Sequence, residues 1–398
     1  MRWEEWEFLR SPEGQALLAE LAAEPQGPDS HLAVATLLRK TLNAGQVAAI
    51  LETVRLRQRA SGKFDLAGKM YFTGSGLEQA THQTVAIHRA RRFSNAGLSP
   101  VADLGCGIGS DSVALAALGA TVVAVDLDWL HAHMTWANAD IHGVSSRVLP
   151  VLADLTQISP LPVRAFFFDP ARRTVSGPAL APSRRLKSVE AYHPPLGLID
   201  GWRPQVPHGA VKVSPAIDYN EIPESTEAEF VSLAGEMKEA VLWYGDLRTD
   251  AGRRATLLPG GQTLTDREPG AKLTGPPRSY LYEPDSAVIR AHLVAQLAHQ
   301  LDATFLDAQI AYLTTPTLTR TSFARGFQIE DYFPFQLKRL RHYLRDRHIG
   351  AVTIKKRGSP LDVDALRRAL RLEGDDHRFI FLTQMMGQAT VLIGQAVG

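Results

Sequence analysis

Apolar residues in the first 65 positions recur every three or four places, the spacing of helices that bury one stripe. Ala16, Leu17, Leu18 and Leu21 form one such set, Val34, Leu37 and Leu38 a second, and 46–59 carries a third. Pro25, Gly27 and Pro28 separate the first two, and Asp29 or Ser30 suits the cap of the helix that follows. The pattern predicts a helical subdomain over 1–65, a scaffold or lid packed on the next region.

Between 66 and 278 the rhythm changes to short apolar runs at 101–104, 121–125, 148–151, 166–168, 211–213 and 240–243, parted by helix-like or loop segments. Such alternation predicts a mostly parallel sheet with helices on both faces, an α/β Rossmann-like domain. The run 253–258 before Pro-Gly-Gly predicts a closing hairpin. Beyond Pro276-Pro277 the pattern predicts an α+β tail. A strand at 280–282, a helix over 287–301 and a strand at 310–313 form a unit over 279–322. Another unit, over 323–398, has strands at 323–329, 351–355, 379–382 and 389–393, with helices at 334–348 and 363–372.

Composition narrows the picture only slightly. The 398 residues are 45% hydrophobic and 21% charged with a net charge of +1, so any attraction to a polyanion must be local. One cysteine, Cys106, excludes an internal disulfide and fits a reducing compartment. Charge interrupts the N-terminus, and no apolar run reaches the ~18 residues of a membrane helix, so a cytoplasmic protein is expected. The scattered histidines, His131 and His133 among them, show no metal-ligand spacing, and no metal is expected.

The chemistry concentrates where the strands end. Val101-Ala-Asp-Leu-Gly-Cys-Gly-Ile-Gly109 is a strand, an acid and a glycine bend before a helix-like stretch. The glycines allow a tight turn and close approach of backbone to a ligand. Asp126 ends the next strand roughly twenty residues on, where a carboxylate accepts from ribose hydroxyls. Asp154 ends the third, placed to meet an adenine amino group, and Asp169-Pro170 ends the fourth. Two ligands compete for such a loop. A nicotinamide dinucleotide prefers a third glycine where Ser110 stands, and Asp103 before the bend suits a cationic amino-acid moiety better than a phosphate.

With Asp103, the glycine bend, Asp126 and Asp154 in this order, the segment resembles the class I S-adenosylmethionine-dependent methyltransferases. The resemblance implies S-adenosyl-L-methionine as cofactor, held by Asp103, Gly105, Cys106, Gly107, Asp126, Leu127, Asp154 and Leu155. Cys106 also reads simply as a small filler. Upstream, Tyr71, Thr73 and Gln79 are candidate contacts to the methionine end, and equally fit an N-cap and packing turn. Related amino-methyltransferases carry Asn/Asp/Ser-Pro-Pro-aromatic where this chain has Asp169-Pro170-Ala171-Arg172. Asp169 and the Pro170 carbonyl are therefore the candidate catalytic pair. The aromatic platform is absent unless Tyr192 or Phe72 supplies it.

Arg172 and Arg173 could clamp a phosphate or carboxylate, with Arg184, Arg185 and Lys187 in the same basic loop. In the tail, Leu337, Leu340 and Leu344 share one face of a helix rich in cations, and Lys355-Lys356-Arg357 ends the next strand. Lys338, Arg341, Lys355, Lys356 and Arg357 are candidate contacts to an RNA backbone, or simply a solvated face. Phe-Asp-Pro-Ala-Arg-Arg, Glu-Gln-Ala-Thr, Tyr280-Leu-Tyr-Glu-Pro-Asp and Thr353-Ile-Lys-Lys-Arg-Gly together resemble bacterial methyltransferase-like proteins with a C-terminal THUMP-like domain. That implies a ferredoxin-like unit near 280–322 and a THUMP-like unit after it. The catalytic region is also distantly similar to trimethylguanosine synthases, which share the Asn138-Ala environment of Thr135-Trp-Ala-Asn-Ala and methylate an exocyclic guanine nitrogen. The resulting expectation is methylation of a base in tRNA or rRNA. A small-molecule or protein methyltransferase, or a non-catalytic S-adenosylmethionine- or RNA-binding protein, are the alternatives.

Overall fold

The computed structural model describes residues 1–23, 34–171 and 192–397. They fall into two compact units, Met1–Ser225 with Val241–Arg248, and Thr226–Ala240 with Thr249–Gly398. Among the described residues no helix is long and apolar enough to cross a membrane.

The first unit opens with helices α1 (Trp3–Arg10), α2 (Pro12–Ala23) and α3 (Ala44–Ala60). Asn43 starts α3 with a reciprocal cap, its side chain accepting from the Gln46 N–H while Gln46 reaches back to the Asn43 N–H. Trp6, Leu9, Leu18 and Ile50 make a core that continues through Tyr71 and Phe72 to Leu130 and Met134. After α4 (Gly74–Gln79) and α5 (Gln83–Asn95) come β1 (Val101–Leu104), α6 (Ser110–Ala117), β2 (Val122–Asp126) and α7 (Trp129–Ile141). The strands β3 (Val148–Leu152), β4 (Ala165–Phe168) and β5 (His208–Val213) complete the parallel set, with α8 (Leu198–Trp202) before β5.

These strands lie in the order β3-β2-β1-β4-β5, every pair parallel. The chain steps one way from β1 to β2 and β3, then returns to the other side of β1 with β4. That reversal opens a crevice at the carboxyl ends of β1 and β4, where open α/β sheets bind ligands. Ala165, Phe166, Phe167 and Phe168 of β4 are fully buried, which explains a run with no polar alternation.

Strand β7 (Glu236–Tyr244) supplies Val241–Tyr244 to this unit and its earlier residues to the second. There, β6 (Glu227–Leu233) runs parallel to β8 (Arg253–Leu258), and β8 forms the expected hairpin with β9 (Gln262–Thr265). The sequence pattern gives no sign of β6, because acids alternate along it as if facing water. Both acids are in fact buried with partners. Glu227 accepts from the Arg254 Nε at 2.7 Å and the Thr249 N–H at 2.7 Å, and Glu229 accepts from the Thr256 hydroxyl.

The remainder forms one seven-stranded sheet, β11-β12-β10-β13-β16-β15-β14. Its strands are β10 (Tyr280–Pro284), β11 (Thr304–Asp307), β12 (Ile310–Thr315), β13 (Ala324–Pro334), β14 (Ile349–Lys356), β15 (Asp376–Met385) and β16 (Gln388–Ala396). Strands on either side of residue 322 pair directly, β10 with β13. The expected helix over 287–301 is two, α9 (Ser286–Arg290) and α10 (Val294–Gln300). His292 has φ +55°, and the Leu293 N–H returns to the Val288 carbonyl, a left-handed helix stop. The amphipathic helices α11 (Leu337–Asp346) and α12 (Val363–Leu370) bury Leu340, Leu344, Leu366 and Leu370 in one core with Ile380 and Ile393.

Candidate functional site

The glycine bend leaves β1 directly into the crevice. Gly105, Gly107 and Gly109 have φ of +83°, +55° and +84°, the left-handed region that side chains disfavour. Space adds a second constraint at two of them. A β-carbon on Gly105 would stand 2.8 Å from the Asp169 carbonyl oxygen, and one on Gly109 would stand 2.9 Å from Thr135. Among the described residues nothing lies within 4 Å of the position a β-carbon of Gly107 would take. The N–H groups of Gly105 and Cys106 both donate to the Val125 carbonyl, pinning the bend to β2. Cys106 itself is buried; burial and the nearby Asp103 and Asp126 push its thiol up, so it stays neutral.

Around the bend the acids take different environments. Asp103 is fully buried, its Oδ2 accepting from the Ser112 hydroxyl while its Oδ1 has no partner among the described residues. Burial first, then the nearby Asp111 carboxylate, push its pKa up to about 8. Asp126 accepts from the Gly107 N–H and the Asp128 N–H at 2.8 and 2.9 Å, and its Oδ1 lies 3.6 Å from His131 Nδ1. Burial pulls its carboxyl up, but His131 and the two N–H donors outweigh that and hold it below the usual range. Burial draws the His131 imidazole down, and Asp126 more than restores it. Asp154 is half-buried and held ionised by the Thr156 hydroxyl and N–H. Leu127, beside Asp126, is 66% exposed, whereas Leu155 is buried.

The segment before α5 divides differently from the sequence expectation. Tyr71 belongs to the core: its ring packs edge-on against Trp6, and its hydroxyl accepts from Gln15 at 2.8 Å. The Asn138 side chain accepts from the Tyr71 N–H and donates to the Tyr71 and Ile108 carbonyls, binding this segment to the glycine bend. Asn138 is thus a clamp within the protein. Thr73 caps α4 through the Gly76 N–H and lies 3.3 Å from His131 Nε2. Gln79 is exposed at the end of α4.

At the end of β4 the Asp169 N–H donates to the Leu104 carbonyl, so this residue stands over the bend. Its Oδ2 is held at 2.7 Å by the buried Lys212 of β5, a partner that the sequence reading missed. The one signal available was a lysine inside the apolar run 209–213. Neither proposed aromatic platform is open: Phe72 is buried, and Tyr192 is buried with its hydroxyl accepting from the Ser214 N–H. His193 was also missed. It is exposed, and its backbone exchanges two hydrogen bonds with Ala171, beside Asp169-Pro170. Arg172, Arg173, Arg184, Arg185 and Lys187 lie outside the described residues.

In the tail most of the expected cation set is occupied. Lys355 pairs with Glu283 at 2.6 Å, and Arg357 lies 3.8 Å from the same carboxylate with its guanidinium over Tyr312. Lys356 donates to the Leu361 carbonyl and Arg341 to the Ala369 carbonyl. Lys338 is exposed with no partner among the described residues. Arg345, two turns along α11, is in the same state.

Comparison with known proteins gives this geometry a family. Residues 99–192 match a family model described as RNA cap guanine-N2 methyltransferase, 324–396 a THUMP domain-like model, and 2–60 a domain of unknown function. A Mycobacterium tuberculosis (strain ATCC 25618 / H37Rv) protein, named an uncharacterized S-adenosylmethionine-dependent methyltransferase, is 33% identical over 84% of this chain and 92% of its own length. A candidate methyltransferase of solved structure from Porphyromonas gingivalis W83 aligns over 94% of this chain and 100% of its own. Its TM-score is 0.72 at 19% identity, a likeness of fold. The crevice fits the cofactor on its own terms, with a buried carboxylate oxygen on Asp103 that is orphaned among the described residues and free space where a side chain at Gly107 would stand. The chain belongs to the S-adenosylmethionine-dependent methyltransferases, built on the class I fold with a THUMP-like C-terminal region.

Proposed function

We propose that this enzyme methylates an exocyclic amine on a base of structured RNA, tRNA or rRNA. The observation that carries the reading is the seat of Asp169. Its backbone closes on Gly105 and Leu104, so the carboxylate sits beside the cofactor cradle, and Oδ1 has no partner among the described residues. The match of 99–192 to the RNA cap guanine-N2 methyltransferase model takes in this segment, and the THUMP-like match supports RNA as the substrate class.

Within that reading the Asp103 Oδ1 receives the amino group of the donor, Asp126 the ribose hydroxyls, and Asp154 with Leu127 the adenine. S-adenosylmethionine supplies a methyl group on a sulfonium, whose C–S electron pair stays with sulfur when the methyl leaves. Asp169 Oδ1 and the Pro170 carbonyl accept the two amine hydrogens, aiming the nitrogen lone pair at the methyl carbon. The surplus proton on the nitrogen departs through the bond to Asp169. Rate enhancement then comes from alignment and exclusion of water. His193 offers the flat surface against which a base can stack, and Arg172 and Arg173 hold a neighbouring phosphate. Lys338 and Arg345 contact the RNA backbone.

Mass spectrometry of nucleosides from bulk tRNA and rRNA of a deletion strain is expected to lack one methylated species, restored by the wild-type gene. Asp169→Ala is expected to leave it missing while binding S-adenosylmethionine normally in calorimetry. An unchanged nucleoside profile would remove RNA as the substrate. Equal loss of donor binding and turnover would make Asp169 structural.

A further inference from the structure

We infer that Lys212 is a positioning residue for methyl transfer, fixing the Asp169 carboxylate in the one orientation that leaves Oδ1 for the acceptor. The inference rests on the reading that Asp169 aligns that acceptor. Lys212 lies in β5, within the sequence His-Gly-Ala-Val-Lys-Val, and is 3% exposed. An ammonium in such a place is costly unless paired. Nζ meets Asp169 Oδ2 at 2.7 Å and donates to the Thr81 hydroxyl at 3.0 Å. The Thr81 carbonyl in turn accepts from the Ser110 hydroxyl at 2.7 Å, at the start of α6. Lys212 therefore ties together the end of β4, the segment leading into α5 and the helix that follows the glycine bend.

The pair is lopsided, and the asymmetry points to its purpose. The lysine side chain is 4% exposed, the aspartate 22%. A pair kept only for stability gains little over apolar packing of the same volume. Here a hidden cation holds a carboxylate that reaches the crevice. With Oδ2 engaged, rotation of the carboxylate is restrained, and the alignment on which transfer depends is largely set before substrate arrives.

Lys212→Met keeps the length and volume of the side chain and removes its charge. Two measurements test it. In a crystal structure of Lys212→Met, the Asp169 carboxylate is expected to leave its place beside residue 212; an unmoved carboxylate overturns the inference whatever the acceptor is. In transfer of labelled methyl from S-adenosylmethionine to total RNA of the deletion strain, kcat is expected to fall about 100-fold. The half-saturating RNA and the calorimetric donor affinity should stay within about threefold of wild type. Adding Lys212→Met to Asp169→Asn should cost no further activity, since the lysine acts through that carboxylate. A full additional loss, together with weakened donor binding, would make Lys212 merely structural and overturn the inference. No transfer by the wild type would sink the RNA reading instead, and the crystallographic result then decides Lys212 alone. Should the methionine variant fail to fold, Lys212→Leu, which likewise lacks a donor, enters the same comparisons.

Discussion

The crevice of the first unit and the basic surface of the second treat charge in opposite ways. In the crevice, polar atoms wait. Among the described residues Asp103 Oδ1 is buried without a partner and one Asp169 oxygen is unclaimed. In the tail, most cations that look available along the sequence already serve the protein, Lys355 and Arg357 on Glu283, Lys356 and Arg341 on carbonyl oxygens. Unsatisfied buried polarity is expensive, and at Asp103 it lies two residues from the glycine bend, at the edge where open α/β sheets bind ligands. Satisfied surface charge carries no such message. The comparison gives the crevice a ligand on structural grounds and reduces the tail to a smaller set, Lys338 and Arg345.

The largest effect expected from breaking this contrast is at Gly105. Alanine there must adopt φ near +83° and place its β-carbon 2.8 Å from the Asp169 carbonyl. Either the bend or the end of β4 must move. Donor affinity by calorimetry should drop at least about 100-fold, consistent with strain of roughly 1–2 kcal/mol plus the clash. Binding within threefold of wild type would show that the crevice is not the donor site.

Asp103→Asn comes next, with a drop of about 10- to 100-fold in donor affinity, the loss of one charge-assisted bond. Its pH signature is the sharper test. Because the folded carboxyl titrates near pH 8 and the unfolded one near 3.8, the native state holds an extra proton between these values. Wild-type stability contributed by this group therefore falls as pH rises through that window. Thermal melts should show Asp103→Asn gaining on wild type from pH 4 toward pH 8 without donor. Donor affinity of the wild type should rise with pH toward 8, then decline as the donor's own α-amino group deprotonates near 7.7–8.0. A flat profile in both would mean that Asp103 is ionised throughout.

How much of this was legible depends on whether a residue's partner lies in its own pattern. The acidic tips at Asp103, Asp126, Asp154 and Asp169 were legible because each follows an apolar run, and parallel strands bring their carboxyl ends to one edge. Lys212 was not, since a lone lysine within a strand does not name the carboxylate across the sheet. Strand β6 was hidden for the same reason, its glutamates hydrogen-bonded by residues about two dozen positions on. The helical period of α11 was plain, but Arg341 finds its acceptor on α12 and Lys355 on β10, distances no local pattern encodes. Tyr71 looked like a cofactor contact because its neighbourhood does touch the crevice; its ring turns the other way, into the helical core.

In the tail, the contrast predicts two separable phenotypes. Replacing Lys338 and Arg345 with alanine should leave the melting temperature unchanged and lower the salt dependence of RNA binding by about 2 in log–log slope. Lys355→Met should instead weaken the fold by about 1 kcal/mol, a few degrees in the melt, because it strips a partly buried partner from Glu283. RNA binding that falls with Lys355→Met at unchanged stability would erase the distinction between free and committed cations.

The smallest effect belongs to His131, which lies in the crevice but behaves like the tail, since its ring is committed to a protein partner. It lies between Asp126 and Thr73, at 3.6 and 3.3 Å. Removing it leaves Asp126 two backbone N–H donors, from Gly107 and Asp128, so the carboxylate keeps its place. His131→Gln should weaken donor binding only about two- to fivefold, the scale of one partly exposed pair. The sign with pH separates support from contact. Asp126 raises the imidazole pKa above the unfolded value of 6.5, so the pair's contribution is complete below that pH and fades as pH climbs through the folded value. The difference between wild type and His131→Gln in thermal melts should accordingly be largest near pH 6 and vanish well above neutrality. A gap that persists at pH 9, with donor affinity down by more than tenfold, would mean that His131 touches the donor itself, and the line drawn here between waiting and committed groups would have to be moved.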